Sequence, residues 1–299
     1  MIHGLLVVRK EQGITSYKVV ELVRKIFSTK KVGHFGTLDP IATGVLLVAL
    51  GKVTRFFDYY VKKEKTYSGL IRFGYATNTH DLEGEPLSAP KDVDLNSINL
   101  NTIMKEFIGK ILQVPPLFSA KKVQGIAMHR LARRNIAVER KPVIVEIHSL
   151  EWQVLDRQTL SFKARTSAGT YIRSLAHDIG EKAGCGAYLA ALQRDQVGEF
   201  SCESAHTIDQ IRACVVSGEY RQVLLPIESL LGEYPKVVVN GAAARGVVNG
   251  MEVPGKDVLA IIPALEAPFY RIFDDEGKFL ALARNNAVIR SFKPLVVVS

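Results

Sequence analysis

The sequence predicts an α+β protein with a mixed, mostly antiparallel central sheet, helices packed against it, and a small β-rich region at the C-terminal end. Three observations lead there. Apolar runs of strand length alternate with segments of helical spacing through the first 234 residues. Residues 143–167 hold two successive strand patterns whose alternation suits a half-exposed antiparallel sheet. At Tyr234-Pro235 the composition shifts to short apolar strands punctuated by Gly241, Gly246, Gly250, Gly255 and Gly277.

GLLVVRK at the start reads as a short buried strand. Thr15 or Ser16 then caps a helix, with Val19, Val20, Leu22, Val23, Ile26 and Phe27 at helical spacing. Two glycines and a proline in Gly33-His34-Phe35-Gly36-Thr37-Leu38-Asp39-Pro40 mark a tight loop, and GVLLVALG after it is a continuous apolar strand. TYSGLIRFGYAT is a further strand, THDLEGEPLSAP a polar loop, and residues 95–108 read as helical. An extended segment, VPPLFSAKKVQG, leads into the basic pattern IAMHRLARR, which reads as a helix. Strands over VIVEIHSLEWQVL and LSFKARTS follow, and Ile172, Leu175, Ala176 and Ile179 give a helix after a glycine turn. Helical patterns at 207–217 and 222–232 complete the region before Pro235.

Hydrophobic residues make up 47% of the chain and charged residues 23%, the balance of an ordinary globular protein. No stretch approaches the ~20 apolar residues of a membrane helix. The run Leu5 to Val8 is too short for a signal-peptide core and is followed at once by Arg9 and Lys10, so the expected location is cytoplasmic. Cys185, Cys202 and Cys214 are odd in number and show no C-x-x-C spacing, which argues against a disulfide framework or a structural zinc site.

The charge is more informative, because a net of +9 makes polyanions the leading partner class. It is concentrated in two segments. Residues 1–65 carry twelve Lys/Arg against five acids, and residues 121–141 carry seven against Glu139 alone, while the remaining chain sums to −4. A solvated basic face would give the same count, so charge alone leaves both readings open.

Asp39 stands out inside the first basic segment, on a glycine-containing loop that feeds a buried strand and can present a carboxylate rigidly to a cleft. On position alone it also suits a turn former. The run HFGTLDPIATGVLLVALGKVTRF closely resembles the H-x-G-T-L-D-P-x-A-T-G-x-L signature of the TruB family of tRNA pseudouridine synthases. The resemblance continues, in family order, through KTYSGLIRFGYATNTHDLEGE, VPPLFSAKKVQGIAMHRLAR, GTYIRSLAHDIG and GAYLAALQR, and so covers roughly residues 4–200.

The resemblance implies the pseudouridine synthase fold over residues 1–234 and a shortened PUA-like RNA-binding domain over 235–299. It implies isomerisation of uridine-55 in the T-arm loop of tRNA, with Asp39 as nucleophile. An aspartate of ordinary acidity is anionic at neutral pH and needs no separate activating base. Tyr67 matches the family tyrosine that stacks on the uracil, and Arg173 the arginine that pairs with the nucleophile. Tyr171, Leu192, His34, Asp81 and Lys10 match further substrate-site positions: the partner of Arg173 in Y-I-R, an apolar wall, the histidine that fills the space of a flipped nucleotide, a lining acid and an entrance lysine. Lys121, Lys122, Arg130, Arg133 and Arg134 are candidate contacts to the RNA backbone. No metal, cofactor, membrane contact or obligate protein partner is implied, and the expected state is a monomer.

Three positions depart from the family pattern: Glu11, Phe35 and Phe118, where proline, threonine and tyrosine are usual. Rival readings are weaker. Two His-Asp pairs, His80-Asp81 and His177-Asp178, suggest a metal phosphohydrolase, but no further histidine cluster completes a site. A non-catalytic RNA-binding protein would use the basic segments and the tail, yet Asp39, Tyr67 and Arg173 are all present. A guide-RNA-dependent relative is the third alternative, disfavoured by the lack of a long basic tail.

Overall fold

The structure is a computed structural model, and it describes residues 2–117, 122–123, 126–127, 140–286, 288 and 290–298. Its strands in chain order are β1 (Gly4–Lys10), β2 (Val32–His34), β3 (Ala42–Leu50), β4 (Lys65–Phe73), β5 (Gly109–Gln113), β6 (Lys122–Val123), β7 (Ile126–Ala127), β8 (Val143–Val154), β9 (Thr159–Thr166), β10 (Ala187–Val197), β11 (Phe200–Ser201) and β12 (Leu224–Leu225). Ten of them form one sheet in the order β12-β1-β3-β10-β4-β9-β8-β5, with β2 beside β3 and β11 beside β10. β3 and β10 run parallel, and the sheet's other strand pairs are antiparallel. The expected mixed, mostly antiparallel sheet is therefore present.

β3 is apolar on both faces because both faces are covered. Leu46, Val48 and Leu50 join the core formed with Val19, Val20 and Val23 of the helix Ser16–Ile26 and with Leu175 and Ile179 of the helix Ile172–Lys182. The alternate residues Val45, Leu47 and Ala49 join a second core with Phe56, Phe273, Phe279 and Leu282. β1 divides in the same way, Leu6 and Val8 to one side and Leu5 and Val7 to the other. A continuous apolar run is what the two-residue period of a strand requires under double cover.

Residues from Lys236 onward build the second cover. They form β13 (Lys236–Val239), a helix (Gly241–Val248), β14 (Val253–Pro254), β15 (Val258–Ile262), β16 (Tyr270–Phe273), β17 (Phe279–Asn286) and β18 (Ser291–Val297), in a six-stranded sheet ordered β14-β18-β17-β16-β13-β15. Phe279 stacks on Phe56 at 6.0 Å between ring centroids, and Tyr59 meets Phe269 edge-on at 5.1 Å, so the tail shares a core with the large sheet.

Several elements differ from the sequence reading. The helix expected over 95–108 shrinks to Leu100–Lys105; Gly109, at φ +96°, then begins an unanticipated strand, β5. The helical pattern at 222–232 gives way to β12 and two short 3₁₀ turns, because Pro226 holds Leu225 extended while Leu224 and Leu225 pair with Leu6 and Leu5. Ile126–Ala127 pairs with Lys122–Val123 as a strand rather than opening a helix; the rest of that pattern lies outside the described residues. Within the β-rich tail, Asn240 caps an unexpected helix by accepting the Ala243 N–H at 2.9 Å. No helix among the described residues is long and apolar enough to cross a membrane.

Candidate active site

The loop from Phe35 to Ile41, between β2 and β3, carries Asp39, and buried side chains from three elements grip its backbone. The Ser16 hydroxyl accepts the Leu38 N–H at 2.8 Å and donates to the Leu38 carbonyl at 2.9 Å. Lys10 Nζ donates to the carbonyls of Ala42 at 2.6 Å, Glu11 at 2.9 Å and Pro40 at 3.3 Å. Arg194, fully buried on β10, donates to Gly36, Thr37 and Val45 carbonyls at 3.1, 3.3 and 2.8 Å. Gly44, at φ +100°, lets β3 approach β10 there; a Cβ would lie 2.2 Å from the Arg194 carbonyl oxygen. The peptides around Asp39 are thereby fixed, which leaves the side chain as the projecting group.

Arg173, in the first turn of the helix Ile172–Lys182, meets that side chain with two nitrogens. Nε lies 2.9 Å from one Asp39 oxygen and Nη2 donates to the other at 3.3 Å. Its third nitrogen, Nη1, donates to Asp81 at 3.1 Å and to the Thr79 carbonyl at 3.1 Å. Asp81 in turn accepts from the Thr79 hydroxyl at 2.5 Å and the Glu83 N–H at 3.1 Å. The Arg173 and Asp81 side chains are 7% and 4% exposed, whereas the Asp39 side chain is 35% exposed. Of the two carboxylates on one arginine, Asp39 alone faces the opening.

That opening is a cavity of about 270 Å³ lined by Asp39, Arg173, Tyr67, Tyr171, Leu192, Arg194 and Lys65 among others. Tyr67 and Lys65 alternate onto its face from β4, as Leu192 and Arg194 do from β10. A larger cavity, about 830 Å³, opens beside Thr66 on the opposite face of β4, where Lys63 is already paired with Glu199 and Glu233 at 2.7 Å each. Its carboxylate–arginine pair, Glu64 with Arg165 at 3.8 Å, is loose and more than half exposed, whereas Asp39 and Arg173 meet through two nitrogens with the arginine side chain buried, so the smaller cavity is the candidate site.

Burial sets the acidity of the site. The Asp39 carboxyl titrates above its ordinary value: loss of water is the main cause, Arg173 opposes it, and Asp81 adds to it. This corrects the ordinary acidity assumed from the sequence. Burial lowers both lysines to about 8, with Asp39 pulling Lys10 back upward and Arg194 pushing Lys65 further down. His34 is lowered by burial and by Arg194.

The structure thus brings Asp39, Tyr67, Arg173, Tyr171 and Leu192 to one cavity and puts Asp81 behind Arg173. Lys10 lies beneath the loop rather than at an entrance, and His34, on β2, stands outside the cavity lining. Phe35 is buried and stacked on Tyr60 at 5.3 Å, so this departure serves the second core. Phe118, Lys121, Arg130, Arg133 and Arg134 lie outside the described residues, as does the Lys122 side chain. The rings of His80 and His177 stack face to face at 3.9 Å, Asp81 is held by Arg173, and no group of three metal-ligand side chains occurs among the described residues. Arg194, Lys65 and Ser16 are the site residues the sequence reading missed. The strand period could have found Lys65, which lies two residues from Tyr67 at the start of a segment that reads as a strand.

Residues 24–172 match the family description "TruB family pseudouridylate synthase (N terminal domain)", and residues 173–232 match "tRNA pseudouridylate synthase B C-terminal domain". A protein of Solibacter usitatus named tRNA pseudouridine synthase B is 42% identical over 251 residues, covering 84% of this chain and 86% of its own. The chain belongs to the TruB family of pseudouridylate synthases. A Bacillus pumilus protein of the same name is 36% identical over 306 residues, covering 100% of this chain and 98% of its own. Among solved structures, a chain in the crystal structure of a Cbf5-Nop10-Gar1 complex superposes with a TM-score of 0.70 at 26% identity, covering 99% of this chain and 84% of that one. A chain from an H/ACA RNP bound to a substrate RNA containing 2′-deoxyuridine gives 0.74 at 24% identity, a likeness of fold, covering 99% of this chain and 85% of that one. The TruB family enzymes are isomerases, and the two family descriptions meet at residues 172 and 173, inside the helix that carries Arg173.

Proposed function

We propose that this enzyme converts uridine-55 in the T-arm loop of tRNA to pseudouridine, with Asp39 as the nucleophile. The observation that carries the reading is the two-nitrogen contact of Arg173 with a loop-fixed Asp39 at the mouth of a cavity walled by Tyr67 and Leu192. Residues 1–234 supply the catalytic part, and residues 235–299 act as a shortened PUA-like RNA-binding part. No obligate protein partner enters this reading.

In the proposed reaction the uridine flips out of its loop into the cavity, with its base against Tyr67. The Asp39 carboxylate bonds to C1′ as the C1′–N1 bond breaks, and that electron pair leaves with the uracil. The base turns, C5 bonds to C1′, and the bond to Asp39 breaks and restores the carboxylate. The C5 proton is then lost, with Tyr67 in position to assist, and N1 gains one. Atoms and electrons balance within the nucleotide, so the chemistry calls for no redox partner or group donor. Arg173 counters the burial of Asp39 and keeps the anion available when the base displaces water.

The test is Asp39→Asn, which keeps size and removes charge and nucleophilicity. Release of tritium from C5-labelled uridine in a T-arm stem-loop is expected to fall by several orders of magnitude in single turnover, while folding and tRNA binding persist. A variant that keeps about a tenth of the wild-type rate, a loss of only ~1.4 kcal/mol, would show that another group is the nucleophile.

A further inference from the structure

The end of β5 is tied to the rim of the cavity. Gln113 is fully buried, and its amide closes two hydrogen bonds on one residue: the Tyr171 N–H donates to Oε1 at 2.8 Å, and Nε2 donates to the Tyr171 carbonyl at 3.0 Å. Tyr171 caps the helix Ile172–Lys182 with extended backbone (φ −96°, ψ 106°), and its own side chain makes no capping bond. Three residues on, the Ser174 hydroxyl donates to the Val114 carbonyl at 3.0 Å. Arg173 therefore sits between two residues that are anchored to consecutive positions of the same strand end.

The side-chain type fits this task. A carboxamide donates and accepts as a peptide does, so Gln113 pairs both backbone groups of Tyr171 at the point where the chain turns from extended to helical. A carboxylate could only accept, and an aliphatic chain could do neither. Gln113 does not line the cavity. Its reach to the chemistry is through Tyr171 and the start of the helix.

We infer that Gln113 is a positioning residue for the reaction: by holding the Tyr171 backbone it fixes where the Ile172–Lys182 helix begins, and so holds the Arg173 guanidinium in its two-nitrogen contact with Asp39. The inference rests on the reading of Asp39 and Arg173 given above. A residue needed only for core hydrogen bonding would affect stability alone; a positioning residue also alters the acidity of Asp39, because Arg173 is what opposes its burial.

The experiment compares wild type, Gln113→Leu, Gln113→Met, Gln113→Glu and Asp39→Asn in single-turnover tritium release from a C5-labelled T-arm stem-loop, across a pH series, with affinity for the same RNA measured in parallel. Gln113→Leu is expected to slow the reaction by about tenfold to hundredfold at neutral pH, as expected for a catalytic group displaced by ~1 Å. Its affinity should change by less than about threefold, and the acid limb of its pH–rate profile should move to higher pH. Gln113→Glu keeps the acceptor for the Tyr171 N–H but sets a buried carboxylate against the Tyr171 carbonyl, so it should slow the reaction at least as much as Gln113→Leu. Gln113→Met, neutral and of similar size, carries the comparison if Gln113→Leu does not fold. A wild-type rate, or a slowed enzyme whose acid limb stays in place, overturns the inference and leaves Gln113 a core residue. An active Asp39→Asn would remove the reading of the site and this inference with it. An inactive Asp39→Asn beside an unaffected Gln113→Leu would remove the inference alone.

Discussion

Replacing Ser16 with alanine removes one oxygen that lies outside the cavity, yet it should damage both the fold and the reaction. The hydroxyl is the described partner of both backbone groups of Leu38, accepting its N–H at 2.8 Å and donating to its carbonyl at 2.9 Å. Both contacts are buried, and Ser16 itself is 2% exposed. Ser16→Ala leaves a donor and an acceptor unpaired away from water, at about 1–3 kcal/mol each; partial relaxation brings the expected total to about 2–4 kcal/mol. Thermal unfolding should fall by about 4–16 °C, taking ~2–4 °C per kcal/mol for a unit of this size. Leu38 immediately precedes Asp39, so the carboxylate loses its anchor on that side, and the single-turnover rate should drop about tenfold or more. Thr15→Ala is the control, because the Thr15 hydroxyl caps the exposed Lys18 N–H at 3.0 Å; it should cost about 0.5–2 kcal/mol and leave the rate unchanged. A Ser16→Ala enzyme melting within about 1 °C of wild type and turning over at the wild-type rate would refute the claim that the loop is held by this contact.

Three other outcomes are expected. The Asp39 carboxyl titrates above 3.8 and the proposed chemistry uses the anion, so the rate should fall as pH drops through that raised value; a rate still flat near pH ~4 would contradict it. Phe279→Ala removes a ring buried between Phe56 and Phe273, at 6.0 and 5.1 Å, and should destabilise by about 3–5 kcal/mol. Because that core joins both sheets, calorimetry should show one lowered transition; an unaltered transition for the large sheet would mean the tail folds apart from it. Replacing Arg130, Arg133 and Arg134 with alanine should weaken tRNA binding and reduce the slope of log affinity against log salt by about 2–3, and an unchanged slope would remove these residues from the RNA footprint.

How much of this was legible depended on whether an interaction leaves a trace along the chain. Asp39 and Arg173 were legible because their motifs are contiguous, and β1, β3 and the helix Ser16–Ile26 because their apolar patterns are strong. β10, the strand that pairs both β3 and β4, was not assigned from the sequence: AYLAALQRDQV mixes small, apolar and charged residues, and its pairing with β4 shifts register twice. The grip on the Asp39 loop was also invisible. Ser16 reaches Leu38 across 22 positions, Lys10 reaches Ala42 across 32, and Arg194 reaches Gly36 across 158. These are side chains bonding to carbonyl and amide groups that every residue possesses, so no residue type at the receiving end marks the contact.

The same fact alters what the charge count means. Twelve cations in residues 1–65 suggest a single RNA-facing field, but the fold uses several of them internally. Lys10 and Lys65 are buried against backbone carbonyls, and burial lowers both to about 8; Lys63 is held between Glu199 and Glu233. Exposed cations remain in that segment, including Lys18, Lys25, Lys30, Lys31 and Lys62. A phosphate at the surface is attracted by the charges it can approach, whereas a cation with its donors committed to carbonyls mainly fixes local structure. The first segment therefore serves two purposes that its sequence does not separate. Lys10 holds the loop that carries Asp39, Lys65 and Lys63 fix the chain around the start of β4, and the exposed cations are left to meet the RNA. Substituting Lys10 should accordingly disturb chemistry more than salt dependence, the reverse of the effect expected for the arginine triple.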